Sequence, residues 1–240
     1  MGSESYTGTE RETDQLKVTG EYTFEFKEGE CEGRWLRILN EHGTLVEGAH
    51  FVPKGDANGE IVVFHPGLPG DGVSWFEERD TPELLRDGYE VFVARHQGLV
   101  PTETNKQYFH NEGRRMSDYD ATTRPISVRT WLQEPQTSLT HFSQKQITLI
   151  THSFGALAGE LSLVELQRLY GDTAENPLNN LQRWIVLGGV VHDLKEGGVT
   201  DQSKGITLDT WRSFFEWLEQ SGIYNMENAE QALADFSNRS

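Results

Sequence analysis

Residues 22–26, Tyr-Thr-Phe-Glu-Phe, alternate apolar and polar positions; residues 34–39, 44–46 and 51–52 follow with glycine-containing breaks between them. A period of two predicts an antiparallel strand region. The pattern then becomes continuous. Residues 61–65, Ile-Val-Val-Phe-His, lie between Gly59 and the turn Pro66-Gly67-Leu68-Pro69-Gly70, as expected of a buried strand entering a tight loop. Residues 89–94, 146–151 and 184–191 are three further runs of this kind. Between the first two, Thr81-Pro82 starts a short helix, Leu84 and Leu85 supply its apolar contacts and Gly88 stops it. Strands that alternate with helical patterns predict a mostly parallel sheet covered on both faces.

Residues 95–145 are too long for a bare connection and must hold structure. A helix is expected over 127–139, and a polar surface excursion over 97–118, in which His110, Arg114 and Arg115 read as a solvated loop. From Thr207 the period changes to helical: Leu208, Trp211, Phe215 and Leu218 share a face up to Gly222, then Ala229, Leu233 and Phe236. The aromatic stripe Trp211, Phe214, Phe215 and Trp217 is expected in a core.

Composition narrows the function. The chain has 240 residues, 35% hydrophobic and 25% charged, enough to bury a core without a disulfide or metal. Its one cysteine, Cys31, rules out an intrachain disulfide framework. Lysine plus arginine number 21 against 38 acidic residues, a formal charge of −17 that argues against a nucleic-acid partner. No apolar stretch is long enough to span a bilayer. Residues 1–20 are polar and read as a flexible leader without a secretory signal, so the default location is cytoplasmic.

The chemistry concentrates at residues 147–160, where a strand passes directly into a helix through Thr151-His152-Ser153-Phe154-Gly155. Gly155, Ala156, Ala158 and Gly159 let that helix approach the sheet, and Leu157, Leu161 and Val164 are expected to form its apolar face. In a flavodoxin-like or Rossmann-like sheet, Ser153 would only cap a helix. With Thr151 in place of the first glycine, however, the turn resembles the G-x-S-x-G nucleophile elbow of α/β-hydrolases. The turn at 66–70 is similar to that family's HG-x-PG-like turn, with Pro66 where the family has histidine and His65 one position earlier. Arg95-His96-Gln97-Gly98 resembles the glycine turn after its fourth strand, and the resemblance covers residues 22–193. It implies an α/β fold: a mostly parallel sheet with helices on both faces, antiparallel N-terminal strands, an α/β-hydrolase core over 21–200 and a helical lid-like segment over 201–240. It also implies a serine hydrolase of the esterase–lipase kind, acting on a small-molecule carboxylic ester or a related amide or thioester. Ser153 would be the nucleophile, the Leu68 and Phe154 amides would form the oxyanion hole, and His65 and His152 would line the pocket. No cofactor or metal is implied, and no metal-ligand cluster or phosphate-binding glycine loop is present in the sequence.

The family's triad runs Ser, then Asp or Glu, then His. After Ser153 the only histidine is His192, followed at once by Asp193, and no strand-like run follows Val191. Three readings stay open. The base lies beyond Ser240 in a chain lacking the family's C-terminal strands, which ranks first. Alternatively His192 is the base and Asp193 its support, although adjacent strand residues face opposite ways. In the third, the chain is a non-catalytic binding protein that retains the pocket. Oligomeric state is not readable from the sequence.

Overall fold

The computed structural model describes residues 12–13, 16–24, 31–40, 45–68, 76–77, 79–98, 125–188 and 208–237. Both kinds of apolar run enter one sheet. Its strands are β1 (Glu12–Thr13), β2 (Leu16–Phe24), β3 (Cys31–Asn40), β4 (Leu45–Pro53), β5 (Glu60–His65), β6 (Glu90–Arg95), β7 (Gln146–His152) and β8 (Leu181–Leu187). Their spatial order is β1-β2-β3-β4-β6-β5-β7-β8. The period-two region forms the antiparallel half, and β4 joins β6 antiparallel; β6, β5, β7 and β8 then run parallel. β2 begins inside the stretch expected to be a leader. Leu16 pairs with Asn40 and Lys17 with Leu39, because the ten-residue β3 offers backbone partners that far along its length.

Alternation along the parallel strands assigns side chains to two layers. Ile61 and Val63 of β5 pack with Phe92, Ala94, Leu149, Leu139 and Leu166 on one face, whereas Val62 and Phe64 pack with Val91, Val93 and Leu85 on the other. The first face is covered by α2 (Val128–His141) and α3 (Phe154–Tyr170), the second by α1 (Thr81–Arg86). Ser127 caps α2 by accepting the Arg129 N–H at 3.2 Å, at the expected helix start. Pro135 sits inside α2 and has no N–H to give, and beside it the helix opens to its neighbour. Ser162 of α3 accepts the Gln136 N–H at 3.0 Å and donates to the Leu132 carbonyl at 3.3 Å. The buried face of α3 therefore includes Ser162 and Leu166, and Val164, expected on the apolar face, is 62% exposed.

Helices α4 (Leu208–Ser221) and α5 (Ala229–Ser237) close the remaining side. Trp211, Phe215, Leu218, Leu233 and Phe236 share one cluster with Trp131, Leu157, Phe154 and Leu68, so this segment packs on α2, α3 and the turn after β5. Of the aromatic stripe, Trp211 and Phe215 are buried and Phe214 packs at the margin; Trp217 turns outward at 43% exposure. Backbone bonds tie the segment down: Asn225 donates to the Gly98 carbonyl at 2.7 Å, and Ile126 donates to the Asn225 carbonyl at 2.8 Å. Gln97 and Gly98, expected to open a surface excursion, are thus buried under this segment. The rest of that excursion, including His110, Arg114 and Arg115, lies outside the described residues. No described helix is long and apolar enough to cross a membrane.

Candidate active site

The chain steps from β5 to β6 in one direction and then places β7 on the opposite side of β5. In an open parallel sheet, such a reversal leaves a crevice at the carboxyl ends of the two diverging strands. The turn after β5, Pro66 to Leu68, and the turn after β7, at Ser153, flank it. Ser153 has φ 52° and ψ −119°, and it is the one non-glycine residue with positive φ among the described residues. Such a conformation costs about 1–3 kcal/mol and persists only where the surroundings enforce it. Here the Ser153 N–H donates to the Leu187 carbonyl of β8 at 3.2 Å, and its carbonyl accepts the Ala156 N–H at 3.0 Å.

Small residues make room for this turn. A methyl group on Gly67 would come within 2.5 Å of Ser153 Cβ, so the first turn lies directly against the serine side chain. A methyl on Gly155 would reach 2.4 Å from the Pro66 carbonyl oxygen. Thr151, bulkier than glycine, is accommodated by the missing side chain of Gly159, where a Cβ would lie 2.9 Å from Thr151 Cγ2. The Thr151 hydroxyl also accepts the Trp184 indole N–H at 3.0 Å. Phe154 starts α3 and is buried, edge-on to Trp131 at 6.4 Å and to Trp211 at 5.9 Å between ring centres. The positive end of α3 consequently points at the serine, where it favours negative charge. Leu68 is buried in the same cluster.

The histidines are in different situations. His65 ends β5 fully buried, with Nε2 3.1 Å from Ser138 Oγ, and burial pushes its imidazole down to about 3, with nearby His96 adding to the effect. It is therefore neutral at ordinary pH. His152 is half-buried beside the elbow, and burial lowers its pKa. His192 and Asp193 lie outside the described residues.

A further pair escaped the reading of the sequence. His96, just after β6, places Nδ1 2.9 Å from Glu134 Oε2 of α2 and Nε2 3.1 Å from the Pro66 carbonyl. Both side chains are buried, and burial pushes the Glu134 carboxyl up against the opposing pull of His96. The available signal was a glutamate among Trp131, Leu132 and Leu139 on the apolar face of a helix. Arg95, the residue before His96, forms a buried ion pair with Glu77 and lies 5.9 Å from the centre of the Trp35 ring. Among the described residues, no group of three or more His, Cys, Asp or Glu side chains is arranged to hold a metal ion.

A parallel sheet extended by antiparallel strands, with a strained serine between strand and helix at the switch point, defines an α/β-hydrolase fold. No protein-family model matches the chain, and no curated protein does. Solved structures similar to it include the α/β hydrolase GrgF from Penicillium sp. sh18, at 12% identity over 85% of this chain and 73% of that one, with a TM-score of 0.48. Acetyl xylan esterase 1 from Thermoanaerobacterium sp. JW/SL YS485 is 10% identical over 95% of this chain and 68% of its own, with a TM-score of 0.44. The DcsB complex with its substrate analogue is 14% identical over 55% of this chain, with a TM-score of 0.39, and this chain spans only 40% of its length.

Proposed function

We propose that this protein is a serine hydrolase that cleaves a carboxylic ester, or a related amide or thioester, by acyl transfer through Ser153. The observation that carries this reading is the conformation of Ser153, held at φ 52° against Gly67 at the start of a 17-residue helix. A residue that merely capped the helix would have no need of that strain, and Ser153 makes no side-chain capping bond.

In this mechanism Ser153 Oγ attacks the substrate carbonyl carbon, and its proton passes to a histidine base. The Leu68 and Phe154 amides stabilise the oxyanion, an effect of about 10²–10³ in rate for each donor in comparable sites. Collapse of the intermediate breaks the bond to the leaving alcohol, which takes the proton from the base. Water then attacks the acyl-enzyme by the same route and regenerates Ser153. His65 is unsuited to be the base, since an imidazole held at about 3 is too weak to take a proton at neutral pH. His192, with Asp193 as its support, is the candidate base that this sequence offers after Ser153, and both lie outside the described residues.

The test is labelling by a fluorophosphonate probe. The unmutated protein is expected to be labelled and to hydrolyse p-nitrophenyl acetate, while folded Ser153→Ala does neither; His192→Ala is expected to lose both activities while keeping its fold. Labelling that survives in Ser153→Ala would overturn the assignment of the nucleophile. A folded but unreactive native protein would mean that these residues hold no catalytic base, leaving either a hydrolase without its base or a binding protein that retains the crevice.

A further inference from the structure

We propose that His96, held by Glu134, is a positioning residue that orients the Pro66–Leu68 turn and so aims the Leu68 amide at the oxyanion. The inference rests on the hydrolase reading above and adds to it a part played by residues that do not touch the substrate.

The Pro66 carbonyl oxygen can only accept, so His96 Nε2, 3.1 Å away, carries a hydrogen and donates it. That leaves Nδ1 to share a proton with Glu134 Oε2 at 2.9 Å. With that proton held between Nδ1 and Oε2, the hydrogen on Nε2 is kept; without it, a neutral ring could move its hydrogen to Nδ1 and turn a lone pair toward the Pro66 oxygen. The ring is also fixed in place by its surroundings. It is 3% exposed, lies edge-on to Trp131 at 6.2 Å and has neutral His65 nearby.

The turn itself needs such a hold. Gly67 has no side chain, because Ser153 Cβ occupies that space, and a glycine leaves its flanking peptides free to rotate. Fixing the Pro66 carbonyl fixes the plane of the Pro66–Gly67 peptide, the first of the two peptides that lead to the Leu68 N–H. The same oxygen also faces Gly155 of α3, so it sits between the His96 ring and the elbow. Catalytic donors gain their effect from being oriented before the reaction, and a small misplacement is costly.

Two substitutions separate positioning from mere support. The side-chain nitrogen of glutamine corresponds to the Nε2 position of histidine, and that of asparagine to the Nδ1 position. His96→Gln thus retains a donor for Pro66, whereas His96→Asn retains one for Glu134 only. For p-nitrophenyl acetate, His96→Asn is expected to lower kcat by ~10-fold or more with KM unchanged, and His96→Gln to stay within about threefold of the native protein. Equal losses in both variants, or an unchanged kcat in folded His96→Asn, would overturn the proposal. The amide nitrogen resonance of Gly67, which reports on the preceding carbonyl, supplies a readout without turnover. It should move in His96→Asn and stay in His96→Gln; an unmoved resonance in both overturns the proposal. If the native protein has no turnover, the hydrolase reading has failed, and the resonance still decides whether His96 holds the turn.

Discussion

Ser153 concentrates the conflict between stability and chemistry in one residue. Its positive φ is a conformation that glycine adopts freely and serine does not. Ser153→Gly is therefore expected to raise unfolding stability by about 1 kcal/mol while abolishing fluorophosphonate labelling. Ser153→Ala, which retains a Cβ, should lose labelling without that gain; urea midpoints of the three proteins provide the comparison. The small residues around this site were legible in the sequence because a sharp turn tolerates little else. Gly155 meets the Pro66 carbonyl, and Thr151 fits because Gly159 makes room across the strand–helix contact. The pairing of Glu134 was not legible: its partner His96 is 38 residues away in sequence, and only the packing of α2 on the sheet brings them together.

Among the elements, α2 and α3 are the informative pair. Pro135 deprives α2 of one ladder bond, and the Ser162 hydroxyl inserts between the Leu132 carbonyl and the Gln136 N–H. Ser162→Ala would leave both backbone groups short of a partner in a place with little water. A loss of about 1–3 kcal/mol is expected in chemical denaturation, with the m-value unchanged. Because α2 carries Glu134 and α3 begins at the elbow, the same lock sets the spacing between the two halves of the candidate site. Apolar periodicity located both helices but put Val164 on the wrong side. Polar Ser162 is invisible to a hydrophobic pattern, although it is buried and bonded across to α2.

At the scale of the whole molecule, buried His65 and half-buried His141 make stability depend on pH. His65 is pushed down by burial and by His96 to about 3, and His141 by burial and by His50 to about 4, from an ordinary value of 6.5. Their folded values lie below the unfolded one, so their contribution is present above pH 6.5 and is lost as pH falls through the folded values. In that range the unfolded chain takes up protons that the native protein refuses. Each histidine then adds a slope of up to about 1.4 kcal/mol per pH unit, with stability falling toward acid. Denaturation at pH 7, 6 and 5 should show this fall, and His141→Gln should remove about one proton's share of the slope. The sequence by itself determined the parallel strands, the helices, the strand-to-helix serine turn and the glycines beside it, because period, turn chemistry and local sterics act over a few residues. Tertiary structure decided the order of strands in the sheet and the switch point between β5 and β7. It also docked α4 and α5 over Leu68 and Phe154 and joined His96 to Glu134 and Pro66. Those features depend on which distant surfaces exclude water together and which buried polar groups find partners, and neither is encoded at a fixed spacing along the chain.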